Sequence, residues 1–175
     1  MPKRKEKKFS RPRKIFDIAL IKEENNLINK YGLKNRREVW RANFAVTKIR
    51  NIAKTLITAD AKEQNEFVQR QKEKGFAVES IADVLGLSKE DYLKRRLQSI
   101  VLKKGYAQTP KAARQLVTHK HITIAGNIIN SPSHLTTIKE EEAVGINIAV
   151  PEKKVISDEE KKLLKQLKKS QEEEQ

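Results

Sequence analysis

The chain has 175 residues, a formal net charge of +15 and a pI near 9.9; 35% of it is charged, 37% hydrophobic and 5% aromatic. That length suits one ordinary domain or two small ones, and the low apolar fraction points to a small core with part of the chain outside it. Cysteine is absent, which excludes disulfides and Cys-based zinc sites, the three histidines, set apart from carboxylate clusters in sequence, speak against a metal centre, and no apolar run approaches the roughly 18–20 residues of a membrane span. The composition suits a soluble cytoplasmic protein, and the basic start lacks the apolar stretch of a secretory signal.

Residues 1–14 form a basic arm: eight Lys/Arg stand against Glu6 alone. Such a block repels itself and is expected to stay disordered until a partner neutralises it. Residues 15–31 read as a helix, with Ile18, Ile21, Leu27 and Ile28 at helical spacing and Gly32 as its stop. A second helix is expected from Asn35 to about Thr58, with Ala45, Ile49, Ile52 and Leu56 as one apolar row. Arg37, Arg41 and Lys48 line up beside that row, as a contact edge would. Trp40 and Phe44, four apart, read as core aromatics packed together. Residues 62–74 make a very polar helix ending at Gly75, and Ile81, Val84 and Leu85 a short one closed by Gly86.

Ser88 and Asp91 have capping-box spacing and open the next helix. That helix carries Leu93, Leu97, Ile100 and Val101 on one side, Lys94, Arg95, Lys103 and Lys104 towards the other, and ends at Gly105. Thr109-Pro110 is an N-cap followed by proline at the first helical position, and Ala112, Ala113, Leu116 and Val117 continue that helix. The period then switches to alternation. Ile122, Ile124, Ile128 and Ile129 read as short strands around Ala125-Gly126-Asn127, Ser131-Pro132-Ser133 as a loop, and Glu140, Glu141 and Glu142 as a solvated turn. Val144, Ile146 and Ile148 read as a last strand before Pro151. Ser157 and Glu160 cap a tail helix whose Leu163, Leu164 and Leu167 give only a thin apolar face.

The expected fold class is therefore α+β. A basic arm (1–14) precedes a helical domain (15–90), a unit of two helices against a small antiparallel sheet (91–150) and a charged helical tail (151–175). The chemistry lies in charge. From Tyr92 to His121 there are eight cations and no Asp or Glu: Lys94, Arg95, Arg96, Lys103, Lys104, Lys111, Arg114 and Lys120, closed by His119 and His121. A one-signed surface of this kind fits the phosphate array of a nucleic acid. Arg95, Arg96 and Arg114 are the expected bidentate phosphate ligands, and the lysines act as point charges. His119 and His121 are donors to phosphate or sugar, Tyr106 and Gln115 candidates for base or ribose, and Thr109 marks a positive helix end. No catalytic constellation, Gly-rich phosphate loop or cofactor site is legible.

The ordered string Arg95-Arg96-Leu97-Gln98, Gly105-Tyr106-Ala107, Thr109, Ala113-Arg114-Gln115-Leu116, His119-Lys120-His121-Ile122, Gly126 and Ser131-Pro132-Ser133 resembles the S-four RNA-binding domain. Residues 31–41, with Leu85-Gly86-Leu87 and Asp91-Tyr92-Leu93, resemble the archaeal and eukaryotic branch of the small-subunit ribosomal S-four family. Two positions depart from that pattern. Lys120 stands where the family often has glycine, so a backbone with φ > 0 would be strained, and Ala125 replaces an asparagine at the turn.

The resemblance implies a non-catalytic constituent of the small ribosomal subunit, bound to the 5′ domain of its rRNA and nucleating assembly. It also implies a position near the channel by which mRNA enters, beside the S-five family protein, with no cofactor and no membrane. The implied RNA-binding set is the eight cations, Tyr106, Thr109, Gln115, His119 and His121, with Arg37, Arg41 and Lys48 on the second helix. The alternatives are a stand-alone ribosome-associated RNA-binding regulator that shares the module, an RNA-modifying enzyme or a non-catalytic partner of one, and a DNA-architectural protein, which charge alone permits.

Overall fold

A computed structural model describes residues 8–147; the expected tail helix, Ile148 and Pro151 lie outside them. Residues 8–17 run without regular structure until Asp17, whose side chain accepts the Ala19 N–H, opens α1 (Ile18–Tyr31). The helix starts three residues later than its apolar spacing suggests, and Phe16 and Ile18 are exposed. Gly32 ends it at φ 60°, and a Cβ there would lie 2.8 Å from Pro110. Glycine is required at this position both for the left-handed turn and for the close approach.

Helix α2 (Arg36–Leu56) buries Val39, Ala42, Val46 and Ala53. This corrects the expected row: Ala45, Ile49 and Leu56 are only partly covered, and Ile52 is 40% exposed. At about 100° per residue, Arg37, Arg41 and Lys48 fall across the helix from the buried row rather than beside it. Trp40 is half-buried. It stacks on Phe9, with centroids 6.3 Å apart, and its Nε1 donates to the buried Glu24 at 2.7 Å.

Helices α3 (Ala61–Glu73) and α4 (Ile81–Gly86) complete a first core with α2, built from Val46, Ala53, Phe67, Val68, Phe76, Val78, Val84 and Leu87. Ser80 and Asp83 form a capping box that starts α4. A second core joins α1, α2 and α5 (Lys89–Lys94) through Leu27, Leu33, Val39, Ala42 and Leu93. Ser88 and Asp91 cap α5 reciprocally, as their spacing indicates.

The long helix expected from Ser88 to Lys104 is two helices. Arg96 is extended (φ −72°, ψ 144°), and α6 (Leu97–Lys103) begins after it. The break is satisfied from elsewhere. Arg96 bridges Leu135, the Leu97 N–H donates to His134 O at 2.8 Å, and the Thr136 N–H donates to Arg95 O at 3.1 Å. Donors that a continuous helix would use internally find carbonyls of the 132–136 loop instead.

Helix α7 (Pro110–Thr118) packs on α6, and both cover a sheet of β1 (Ile122–Ile124), β2 (Asn127–Ile128) and β3 (Val144–Ile146) in the order β2-β1-β3, all antiparallel. Ile122 faces Ile146 and Ile124 faces Val144 in register. The third core is Leu97, Ile100, Val101, Ala113, Val117, Ile122, Ile124 and Val144. Burying each such branched aliphatic side chain contributes roughly 1.5–3 kcal/mol, offset by chain entropy. The β1–β2 turn has φ 49° at Ala125 and 81° at Gly126, the two positive values of a type I′ hairpin. The glutamates taken as a solvated turn are helical: α8 (Ile138–Glu142) starts at a Thr137–Glu140 capping box.

Candidate nucleic-acid interface

The seam between the helical part and the α6–α7–sheet module is polar, and three side chains close it. Gln98, 1% exposed, presents Nε2 to Tyr31 O, Gly32 O and Pro110 O at 2.9, 3.0 and 2.8 Å. Two amide protons thus bridge the end of α1 to the start of α7. Arg95 donates through Nε to Lys74 O at 3.0 Å and through its terminal nitrogens to Thr136 O at 3.0 Å and Glu141 Oε2 at 2.6 Å. Gly75 makes room for it: a Cβ there would lie 2.3 Å from the Arg95 Cζ. Glu38, on α2, receives Arg96 at 2.7 Å and Arg114 at 2.9 and 3.2 Å.

The run that is one-signed in sequence is therefore not one-signed in space. Lys94 pairs with Asp91 at 3.0 Å and Lys103 with Glu141 at 3.1 Å, while Lys104 donates to Glu142 O and Val144 O at 3.2 and 3.1 Å. Among the described residues no carboxylate pairs with Lys111 or Lys120, and both are exposed. Burial opposes the charge on Glu38, yet the hydrogen bonds from Arg114 and Arg96 prevail and hold its carboxyl below the usual glutamate range. Glu141 behaves alike: burial resists, and Arg95 and Lys103 lower it. Asp91 is also lowered, with burial overcome by the Ser88 N–H and Lys94.

The remaining expected contacts divide by exposure. On α7, Lys111 and Gln115 are exposed one turn apart, and His119 and Lys120 follow in the exposed bend to β1. Lys120 has φ 64°, which realises the strain expected of a non-glycine residue there. The rings of His119 and half-buried His121 stack with centroids 6.2 Å apart. Thr109 caps α7 by accepting the Ala112 N–H at 3.2 Å. Tyr106 packs against the third core, and its hydroxyl donates to Val144 O at 3.3 Å, so it serves the sheet. Arg37, Arg41 and Lys48 are exposed along α2.

Sequence reasoning missed Glu38, Glu141 and Gln98, which settle where the cations point. The cations that Glu38 and Glu141 engage lie 38 to 76 residues away, so no local pattern could signal them. His134 is half-buried with Nε2 3.4 Å from Glu140. Among the described residues no helix is long and apolar enough to cross a membrane, and no cluster of acidic or histidine side chains could hold a metal ion.

Comparison with known proteins locates the same region. Residues 95–141 match the family described as the S4 domain. Over 143 residues the chain is 41% identical to small ribosomal subunit protein uS4 of Korarchaeum cryptofilum, covering 79% of this chain and 86% of that protein. It is 40% identical to uS4 of Methanosphaera stadtmanae, with 82% of each chain covered. It is 38% identical to uS4 of Methanothermobacter thermautotrophicus, over 89% of this chain and 94% of that one.

Proposed function

Because the chain belongs to the small ribosomal subunit protein uS4 family, we propose that it is a non-catalytic, structural constituent of the small ribosomal subunit that binds rRNA. The observation that carries this reading is the acid-free face of α7 and the following bend: Lys111, Gln115, His119 and Lys120 are all exposed. Each cation that neutralises a phosphate releases counterions, so this face attracts RNA with strong salt dependence. It reads backbone shape rather than base sequence.

Within the module, Lys103, Lys111, Gln115, His119, Lys120 and His121 face RNA, and the exposed Lys94 and Lys103 exchange their carboxylate partners for phosphate at little cost. Arg95, whose fork is filled within the protein, and the buried Arg96, bound to Glu38, act as positioning residues. Arg37, Arg41 and Lys48 extend the contact along α2. The finer reading places the protein on the 5′ domain of small-subunit rRNA, early in assembly, beside the S-five family protein and the channel by which mRNA enters.

The test is binding of the purified full chain to a 5′-domain transcript against a structured RNA of equal length, across a salt series. Preference for the transcript that persists as salt rises and weakens in Lys111→Ala/Lys120→Ala supports the reading. Equal affinity for both RNAs at every salt overturns it.

A further inference from the structure

Beside the Glu38 pair an open cleft of about 420 Å³ lies between α2 and the module, and Lys8, Arg41, Arg96, Arg114 and Ser133 stand on its walls with Glu38. Four cations thus meet one carboxylate. The carboxylate is fully engaged: both oxygens of Glu38 accept from Arg114, and Oε2 also from Arg96. One negative charge cannot neutralise both guanidiniums, and the Arg96 side chain is only 5% exposed. Among the described residues no carboxylate pairs with Arg41 or Lys8. The excess positive charge lies in a recess, where screening by solvent is weaker than on a flat surface.

We infer that this cleft is an oxyanion site that seats one backbone phosphate of RNA against Arg41, Lys8 and the outer edge of Arg114. The inference deepens the rRNA-binding reading and rests on it. It adds a discrete phosphate position at the seam, away from the lysines of α7. A phosphodiester suits the cleft because its two non-bridging oxygens share one charge and accept several N–H groups at once. Ser133, whose hydroxyl lies 3.3 Å from that of Ser131, supplies a neutral donor on the far wall. Glu38 is the built-in competitor. It keeps the guanidiniums oriented before RNA arrives and gives up part of Arg114 when a phosphate enters.

The test uses the full chain in two arms. In the first, inorganic phosphate is titrated at constant ionic strength against chloride, following the arginine Nε–H resonances by NMR. Arg41 and Arg114 are expected to move saturably while Arg70, in an exposed pair with Glu66 on α3, does not. Lys8→Ala/Arg41→Ala, both exposed positions outside the cores, should weaken phosphate about tenfold without changing Tm, and Glu38→Gln should tighten it.

In the second arm, the same double variant should lower affinity for the 5′-domain transcript about tenfold and reduce the log–log salt slope by about one, the share of a single phosphate. No saturable movement up to tens of millimolar phosphate overturns the site. Phosphate binding with unchanged transcript affinity in the double variant overturns RNA as its source. If Lys111→Ala/Lys120→Ala alone weakens the transcript, this inference falls and the rRNA reading stands. If wild-type protein shows no transcript preference, that reading falls, and the phosphate arm still judges the site.

Discussion

Glu38 of α2 grips Arg114 of α7 with both carboxylate oxygens, Oε1 at 2.9 Å from one terminal nitrogen and Oε2 at 3.2 Å from the other. The geometry is that in which arginine recognises a phosphate, here filled by a carboxylate 76 residues away in sequence. The same carboxylate satisfies the buried Arg96.

Removing Glu38 leaves a buried guanidinium without its counter-charge. Glu38→Ala is expected to destabilise the fold by about 3–5 kcal/mol, the cost of breaking a buried pair. Glu38→Gln, which keeps an acceptor, should cost less. Urea unfolding followed by circular dichroism measures both; a loss under about 1 kcal/mol in the alanine variant would show that Arg96 finds solvent.

The depressed carboxyls give a pH signature. Glu38 and Glu141 sit below the ordinary glutamate value of 4.5, so their stabilisation is complete above that value. It is lost as pH falls through the lowered folded-state values. The thermal midpoint should fall on acidification below about pH 4.5, less steeply in Glu38→Gln. At the alkaline end burial, then Glu90, pushes Tyr31 up to about 12, so its contribution holds below pH 10 and is lost as pH rises towards 12.

Arg95 connects Lys74, Thr136 and Glu141, and lysine cannot span three acceptors. Arg95→Lys is expected to cost about 2 kcal/mol, while the lysine face of α7 remains intact. Gly75→Ala should destabilise similarly, because its φ is 78° and the new methyl would meet the guanidinium. Hydrogen exchange should show the α3–α4 loop opening first in both variants.

Two strained positions separate conformation from charge. Lys120→Gly and Ala125→Gly each relieve a positive φ and should each stabilise by about 1 kcal/mol. Only the first should weaken RNA binding and flatten its salt dependence, since only it removes a cation. Equal RNA affinity in both variants would place Lys120 outside the interface.

Local chemistry was readable from the sequence. The Ser88–Asp91 box, the Thr109-Pro110 start and the Gly32 stop act within one helical turn, and each lies where its residues indicate. The break at Arg96 was not readable, because the groups that satisfy it belong to residues 132–136. The α2 row was misplaced for a reason of size. Hydropathy favours Ile49 and Ile52, but close helix packing selects Ala42 and Ala53. The acid-free run of cations was correctly seen along the chain, yet its electrostatic character depends on Glu38 and Glu141, which only the tertiary fold brings to it.

Leu93 has a consequence for the order in which the chain matures. It is wholly covered at the heart of the second core, among Leu27, Leu33, Val39 and Ala42. A nascent chain with only its first 90 residues emerged lacks that plug and leaves those four side chains to water. The second core therefore closes only once α5, immediately before the matched residues 95–141, has left the exit tunnel, which ties completion of the first helices to synthesis of the chain that follows them.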